Sequence, residues 1–271
     1  MSEWLVAHEQ VVRLGLFAGV LALLMLLERA WPRRTTPPLR GLRWPANFGV
    51  IVLDTLVLRV LLPAGAVGTA LLASIAGVGL FNAVALPAGV AFGLTLAALD
   101  LVVYWQHRMF HRVPLLWRFH RMHHSDIEFD ATTALRFHPG EILISMFIKM
   151  VTVALLGAPP AAVIVFEVVL NGAALFNHSN VALPPALDRW LRLVVVTPDM
   201  HRVHHSIHRQ EHDTNFGFNV PWWDRLFASY TPQPRDGHAG MTIGLSRFRA
   251  PDDQRLRRLL LQPDQDTSER G

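Results

Sequence analysis

Hydrophobic positions fall into long uncharged runs, not the short amphipathic or alternating patterns of a water-soluble domain. The first run, LGLFAGVLALLMLL, lies between Arg13 and Glu28. Extended over Val11 and Val12, with Arg13 snorkelling, it is nearly long enough to cross a bilayer. It lacks a basic leader and an A-x-A cleavage site, which predicts a retained helix and not a signal peptide. A Pro-rich connector follows with Arg29, Arg33, Arg34, Arg40 and Arg43. Arginines beside a membrane segment predict a cytoplasmic connector and an external N-terminus.

From Val60 to Leu99 there is no charge, and Phe81 to Pro87 reads as a turn. Two divisions are open. In one, 47–59 is an amphipathic entry segment, 60–80 and 88–106 are spans, and Asp54 and Arg59 lie near the interface. In the other, one long helix from 47 kinks at Pro63. Both return the chain to the cytoplasm near His107. Glu141 to Leu156 and Ala161 to Phe176 then form a hairpin around Gly157, Pro159 and Pro160, each arm short for a full span. The expectation is an all-α integral membrane protein with about four or five membrane segments. Residues 1–46 form the first helix and connector, 47–230 a membrane-embedded domain, and 231–271 a polar tail.

Composition supports the membrane. Of 271 residues 51% are hydrophobic and only 17% charged, with mean hydropathy +0.29, whereas soluble domains carry about a quarter charged residues. Disorder is excluded by the same balance. Cysteine is absent, which removes disulfides, thiolate metal sites, iron–sulfur clusters and cysteine nucleophiles. Any metal site must use His, Asp or Glu. The formal charge of +4 comes from an Arg-rich chain with Lys149 as its sole lysine. Because the arginines flank apolar segments, they point to a membrane surface and not to nucleic acid.

The candidate chemistry lies in the 14 histidines, most of which fall in three boxes. These are His107 and His111; His120, His123 and His124; and His201, His204 and His205. The second and third share the pattern H-R-x-H-H-S. On a helix, residues three and four apart share a face, so each box presents its imidazoles together. Imidazole is the commonest metal ligand. One ion takes roughly four to six ligands, so eight box histidines, with His138 and His178 in reserve, suit two ions. H-E-x-x-H is absent, which argues against zinc hydrolysis, and paired axial haem ligation fits the spacings poorly. His8, His208 and His238 lie outside the boxes and read as ordinary amphipathic side chains.

The motif set W-x-H-R-x-x-H, H-R-x-H-H-S (twice), R-x-H-P-x-E (Arg136 to Glu141), F-N-H-S-N (Phe176 to Asn180) and D-x-N-F-G (Asp213 to Gly217) resembles the fatty acid hydroxylase superfamily. That superfamily includes sterol desaturases, methyl-sterol oxidases and alkylglycerol monooxygenase. The resemblance covers roughly residues 45 to 230. It implies a non-haem di-iron oxygenase that uses two Fe2+ ions, O2 and external electrons to hydroxylate or desaturate a lipid. It assigns the eight box histidines to catalysis and metal binding, adds His178 as a further ligand, and leaves His138 as ligand or support. With neither a G-x-G-x-x-G loop nor a cysteine, electrons must come from a separate transfer protein. The His138-Pro139-Gly140 triplet is not a cytochrome b5 haem loop, since Glu141 follows. A metal-binding or transport protein without redox chemistry is the competing reading.

Three further features are open to a physical reading. Asp100 shares a helical stripe with Tyr104, His107 and His111 and either orients a box histidine or reaches interfacial water. Thr197-Pro198-Asp199 reads as the capped start of the third-box helix. Pro221 to Arg225, with two tryptophans, reads as an amphipathic segment resting on the membrane.

Overall fold

The structure is a computed structural model that describes residues 2–35, 39–84 and 86–265. Among these residues it is helical, with two isolated β-bridges and no strand. Five helical stretches are long and apolar enough to cross a membrane. We label the elements that build the site α1 (Glu9–Ala30), α2 (Arg40–Leu61), α3 (Gly65–Ala76), α4 (Ala88–Arg112), α5 (Pro114–His124), α6 (Pro139–Leu156), α7 (Pro160–Asn177) and α8 (Pro198–His204). The protein is an integral membrane protein. Only 11% of the most apolar stretch of α1 is buried inside the protein. Leu14, Leu23, Leu26, Val60, Ile75, Phe147 and Leu155 all point outward, and an outward apolar surface of that size is lipid-facing.

Helix boundaries follow from backbone chemistry. A span must satisfy its own amides, so continuous helix is the only economical form within the bilayer. Between Leu62 and Ala64 the helix breaks at Pro63, and the chain resumes as α3. Of the two divisions open from sequence, the kink at Pro63 is the one observed, although the helix begins at Arg40 and not at 47. Along α2 the buried positions are Arg43, Ala46, Asn47, Val50 and Asp54, one stripe of helical period. Asp54 therefore faces inward and not toward the interface. Helix α6 ends at Gly157 in the left-handed region (φ 63°), and Pro160 occupies the first turn of α7.

One end of the bundle is apolar. Ala66, Val67, Ala70, Leu99, Val153, Val163, Ile164 and Phe166 form its core, joined by Leu5 and Val6 from the N-terminal residues. At the opposite end Glu28, the last acidic residue of α1, accepts from the Ala131 and Asn180 amides at 2.7 and 2.8 Å. The N-terminus and the Gly157 turn thus share one end, and the histidine boxes occupy the other. The tail from Pro232 folds back over the boxes. Gln254 donates to the Ser125 carbonyl (3.2 Å), Gln262 donates to Ser125 Oγ (2.9 Å), and Leu259 packs with Ala46, Val50 and Met122.

At the apolar end Gly79 (φ 102°) meets Gly157, and a Cβ on Gly79 would overlap the Gly157 backbone. Gly79→Ala is expected to cost about 2 kcal/mol, read as a lower thermal midpoint in detergent. Gly89→Ala, whose Cβ meets open space, should leave the midpoint unchanged.

Candidate metal centre

Each box sits at a helix end. His107 and His111 lie one turn apart at the C-terminus of α4. His120, His123 and His124 close α5, while His201 and His204 lie in α8 with His205 immediately after it. Helix α8 begins as its sequence implies, with Thr197 Oγ1 accepting from the Met200 amide at 3.4 Å. His178 follows the last residue of α7.

The nine imidazoles assemble into two groups. His107, His111, His120, His124 and His204 form the first, and His123, His178, His201 and His205 the second. Within each group the candidate ligand nitrogens all lie within 4.8 Å of one another. The groups adjoin where His124 stacks on His205, with ring centroids 4.5 Å apart. The two H-R-x-H-H-S boxes are used in opposite senses. In the second box the i,i+4 pair His120 and His124 enters the first group and His123 the second. In the third box the pair His201 and His205 enters the second group and His204 the first. Helical geometry explains the split, because adjacent residues project about 100° apart while i,i+4 pairs share a face.

The ring nitrogen facing away from each group is often fixed. His107 Nδ1 donates to the Phe216 carbonyl (2.8 Å), His204 Nδ1 to the Thr214 carbonyl (2.7 Å) and His178 Nδ1 to the Ala174 carbonyl (2.7 Å). His120 Nδ1 donates to Glu141 Oε1 at 2.7 Å. Since a carbonyl only accepts, Nε2 of His107, His178 and His204 is left as a bare lone pair when the ring is neutral. Burial pushes the His120 and His178 imidazoles down to about 3. Burial first, and neighbouring imidazoles second, hold His123, His124, His201 and His205 well below the usual histidine range. Neutral imidazole is the ligand form.

The donor set fits metal ions. Nε2 of His107 and His204, and both ring nitrogens of His111 and His205, are buried with no hydrogen-bond partner. Nε2 of His178 lies 3.0 Å from Nε2 of both His123 and His201. Imidazole nitrogens that share one ion at about 2.1 Å each must lie within about 4.2 Å of one another, and these do. Lone pairs converging in a dry site without a cation would be left unsatisfied.

One loop secures the first group. The D-x-N-F-G segment brings Asp213 Oδ1 to 3.5 Å from His111 Nδ1 and supplies the Thr214 and Phe216 carbonyls noted above. Asn215, at φ 52°, donates to the Met200 and Thr231 carbonyls at 3.0 and 2.8 Å. Asp224 accepts from the Phe216 and Gly217 amides, both at 2.8 Å. A Cβ on Gly217 would meet the Val220 carbonyl at 2.7 Å, so this turn requires glycine.

Several expectations are corrected. His138 joins neither group. Its Nδ1 accepts from the Gly140 amide (3.0 Å), and its Nε2 lies 3.2 Å from the Leu260 carbonyl, so it caps α6 and ligates nothing there. In R-x-H-P-x-E it is Glu141 that reaches the centre. Asp100 touches no histidine; it accepts from Asn219 Nδ2 and Trp223 Nε1, each at 2.7 Å, and anchors the loop after Gly217. Trp223 is therefore drawn inward, while Trp222 and Leu226 face outward, leaving only half of that segment for the membrane. His238 is buried, 3.5 Å from Asp199. Sequence reasoning passed over His212, buried and stacked on Trp117 at 5.7 Å, with its ring 6.0 Å from His111. Only its place one residue before D-x-N-F-G could have marked it.

Fold and site together define a membrane protein with a polyhistidine centre at one end of its helices. The chain belongs to the fatty acid hydroxylase family, whose profile matches residues 92–229. It is similar to the ornithine lipid hydroxylase OlsE of Rhizobium tropici, 33% identical over 57% of this chain and 45% of that protein. Human alkylglycerol monooxygenase is 32% identical over 55% of this chain and 32% of that protein. Rat cholesterol 25-hydroxylase is 27% identical over 52% and 47%. The chain thus matches less than half the length of these curated relatives. No solved structure matches it significantly.

Glu141→Ala is expected to weaken binding of Fe2+ or Zn2+ about 10–100-fold in a metal titration, by freeing the His120 ring. His138→Ala should keep wild-type affinity and lose only a helix cap, about 1 kcal/mol. Unchanged affinity in Glu141→Ala would show that the carboxylate does not orient His120.

Proposed function

We propose that the chain is an O2-dependent non-haem di-iron oxygenase that hydroxylates, or desaturates, a C–H bond of a membrane lipid. The observation that carries the reading is the pair of buried imidazole groups with converging nitrogens, those of His107, His111, His204 and His205 without a hydrogen-bond partner. The relatives, a lipid hydroxylase, a monooxygenase and a sterol hydroxylase by name, support the same chemistry. Bound at the two groups, two Fe2+ ions supply the O2 activation that C–H oxidation requires.

The chain's own part is to hold, orient and keep dry. His107, His111, His120, His124 and His204 would hold one ion, and His123, His178, His201 and His205 the other. Glu141 and the 213–216 loop fix ring orientation from behind. Phe218 lies against both groups, 5.5 Å from the His107 ring and 5.9 Å from His201. Phe137 stacks on His123 at 4.3 Å. These rings exclude water and offer an apolar surface to an alkyl chain entering between the helices. Electrons come from a separate transfer protein.

The centre faces the cytoplasm in this reading, because the Arg-rich connector lies at the same end. Arg33 pairs with Asp199 beside the third box at 3.2 Å, and Arg34 donates to the His238 carbonyl at 2.7 Å. A transport function is not favoured, since both groups sit at helix ends and not midway along the spans.

Elemental analysis of gently purified protein should find close to two iron atoms per chain. His123→Ala and His204→Ala remove one imidazole from each group and should each abolish lipid oxidation, while His8→Ala should have no effect. Full turnover in either box variant would remove that histidine from the centre. The cysteine-free chain also allows clean topology mapping. A cysteine at Arg255 should label only from the cytoplasm, and one at Val84 only from the opposite side; labelling of both from one side would overturn the topology.

A further inference from the structure

The first imidazole group comes closest to water at a cleft of about 220 Å³. His111 forms part of its floor, and no member of the second group lines it. Its walls come from the end of α4, the start of α5, the segment after the third box and the tail around Phe248. Apart from His111 and Arg112, the last two residues of α4, every lining residue lies outside the candidate spans. The mouth therefore opens beyond the end of the spanning helix, toward water.

The cleft is strongly basic. Arg112, Arg121, Arg209 and Arg247 line it against a single carboxylate, Asp213. Two of the cations are held in place. Arg121 donates to the Gln262 and Gln265 carbonyls of the tail, and Arg209 lies 3.7 Å from Asp213. The wall between the cleft and the histidines is aromatic. Trp117 stacks on His212 (interplanar angle 13°), and its ring lies 5.1 Å from His111 and 5.5 Å from His124. A partner seated in the mouth would meet His111 itself and lie one aromatic ring, Trp117, away from His124.

We infer that this cleft is the docking surface for a water-soluble, acidic one-electron carrier protein, with Trp117 and His212 as the wall through which electrons enter. The inference rests on the oxygenase reading for its purpose. Each turnover consumes RH, O2, two electrons and two protons and yields ROH and H2O. Two reduced carriers each give up one electron and leave oxidised, and the protons come from solvent. The exposed or half-exposed guanidinium groups of Arg112, Arg209 and Arg247, with buried Arg121 behind them, match a carboxylate-rich protein face, and such complementarity sets encounter rate and orientation.

The test uses the full chain in nanodiscs and a reduced plant-type [2Fe–2S] ferredoxin, an acidic carrier, as probe. Binding on immobilised nanodiscs requires no turnover and should weaken steadily as salt is raised. The double variant Arg112→Glu/Arg247→Gln, which leaves the Arg209–Asp213 pair intact, should weaken ferredoxin binding, and raise its KM in turnover, by at least about tenfold. Metal content and oxidation driven by excess dithionite should stay at wild-type level. Wild-type ferredoxin binding in the double variant would overturn the docking surface. So would a loss confined to the response to anionic lipid in the nanodisc, which would make the cleft a headgroup site. Arg-dependent binding without any lipid oxidation would instead sink the oxygenase reading and leave the docking surface standing.

Discussion

Nine imidazoles crowded into a dry space carry ring nitrogens that need partners, and this need shapes the polar half of the molecule. An unpaired buried donor or acceptor costs about 1–3 kcal/mol, so each outward nitrogen that finds a partner, and each inward one that finds a cation, lowers the cost of the centre. Four outward nitrogens find partners, in three separate segments, while Nδ1 of His123 and His201 has none. α7 gives the Ala174 carbonyl, α6 gives Glu141, and the loop after the third box gives two carbonyls. The R-x-H-P-x-E and D-x-N-F-G motifs are thereby explained by the partners they supply to ring nitrogens.

The same requirement ties the membrane helices to the cap through buried charge. Arg43 on α2 is fully buried and pairs with Asp126, Glu128 and Asp130 at 2.5, 2.7 and 2.8 Å. These carboxylates lie just past the second box. Arg136 extends the cluster, donating to the Met122 carbonyl, Ser125 Oγ and Gln254. Buried Arg43 and Arg136 hold the Asp126 carboxyl down at about 2, against the opposing effect of burial. Such a network is weak evidence for stability, since desolvation offsets much of the attraction. Its geometry sets the register between α2 and the strap that follows His124.

A second anchor works from the opposite flank. Asp100, deep on α4, and Asp224 grip the loop from Phe216 to Trp223 by four hydrogen bonds. That loop carries the carbonyl that fixes His107, seven residues from Asp100 along α4. The path from Asp100 to the first group therefore leaves the helix, crosses the loop and returns. Tail residues close the assembly from the water side, where Arg136, Ser125 and Arg121 all find partners beyond residue 250.

Much was determined by the sequence itself. Apolar run length forces helices across a bilayer, because no other structure satisfies backbone amides there. Box spacing forces imidazoles onto common helix faces, and the absence of cysteine restricts the ligand chemistry. These are local properties, carried by neighbours within a few residues. Tertiary structure alone decided how the boxes divide. The second and third boxes share one pattern, yet His123 and His204 cross to opposite groups, because α5 and α8 meet the site from different directions. It also decided that Glu141 and not His138 reaches a ring, that Asp100 holds a loop and not a histidine, and that His212 lies beside the centre. Each depends on which distant segment fills the space behind a side chain, and that is set by packing between elements far apart in sequence.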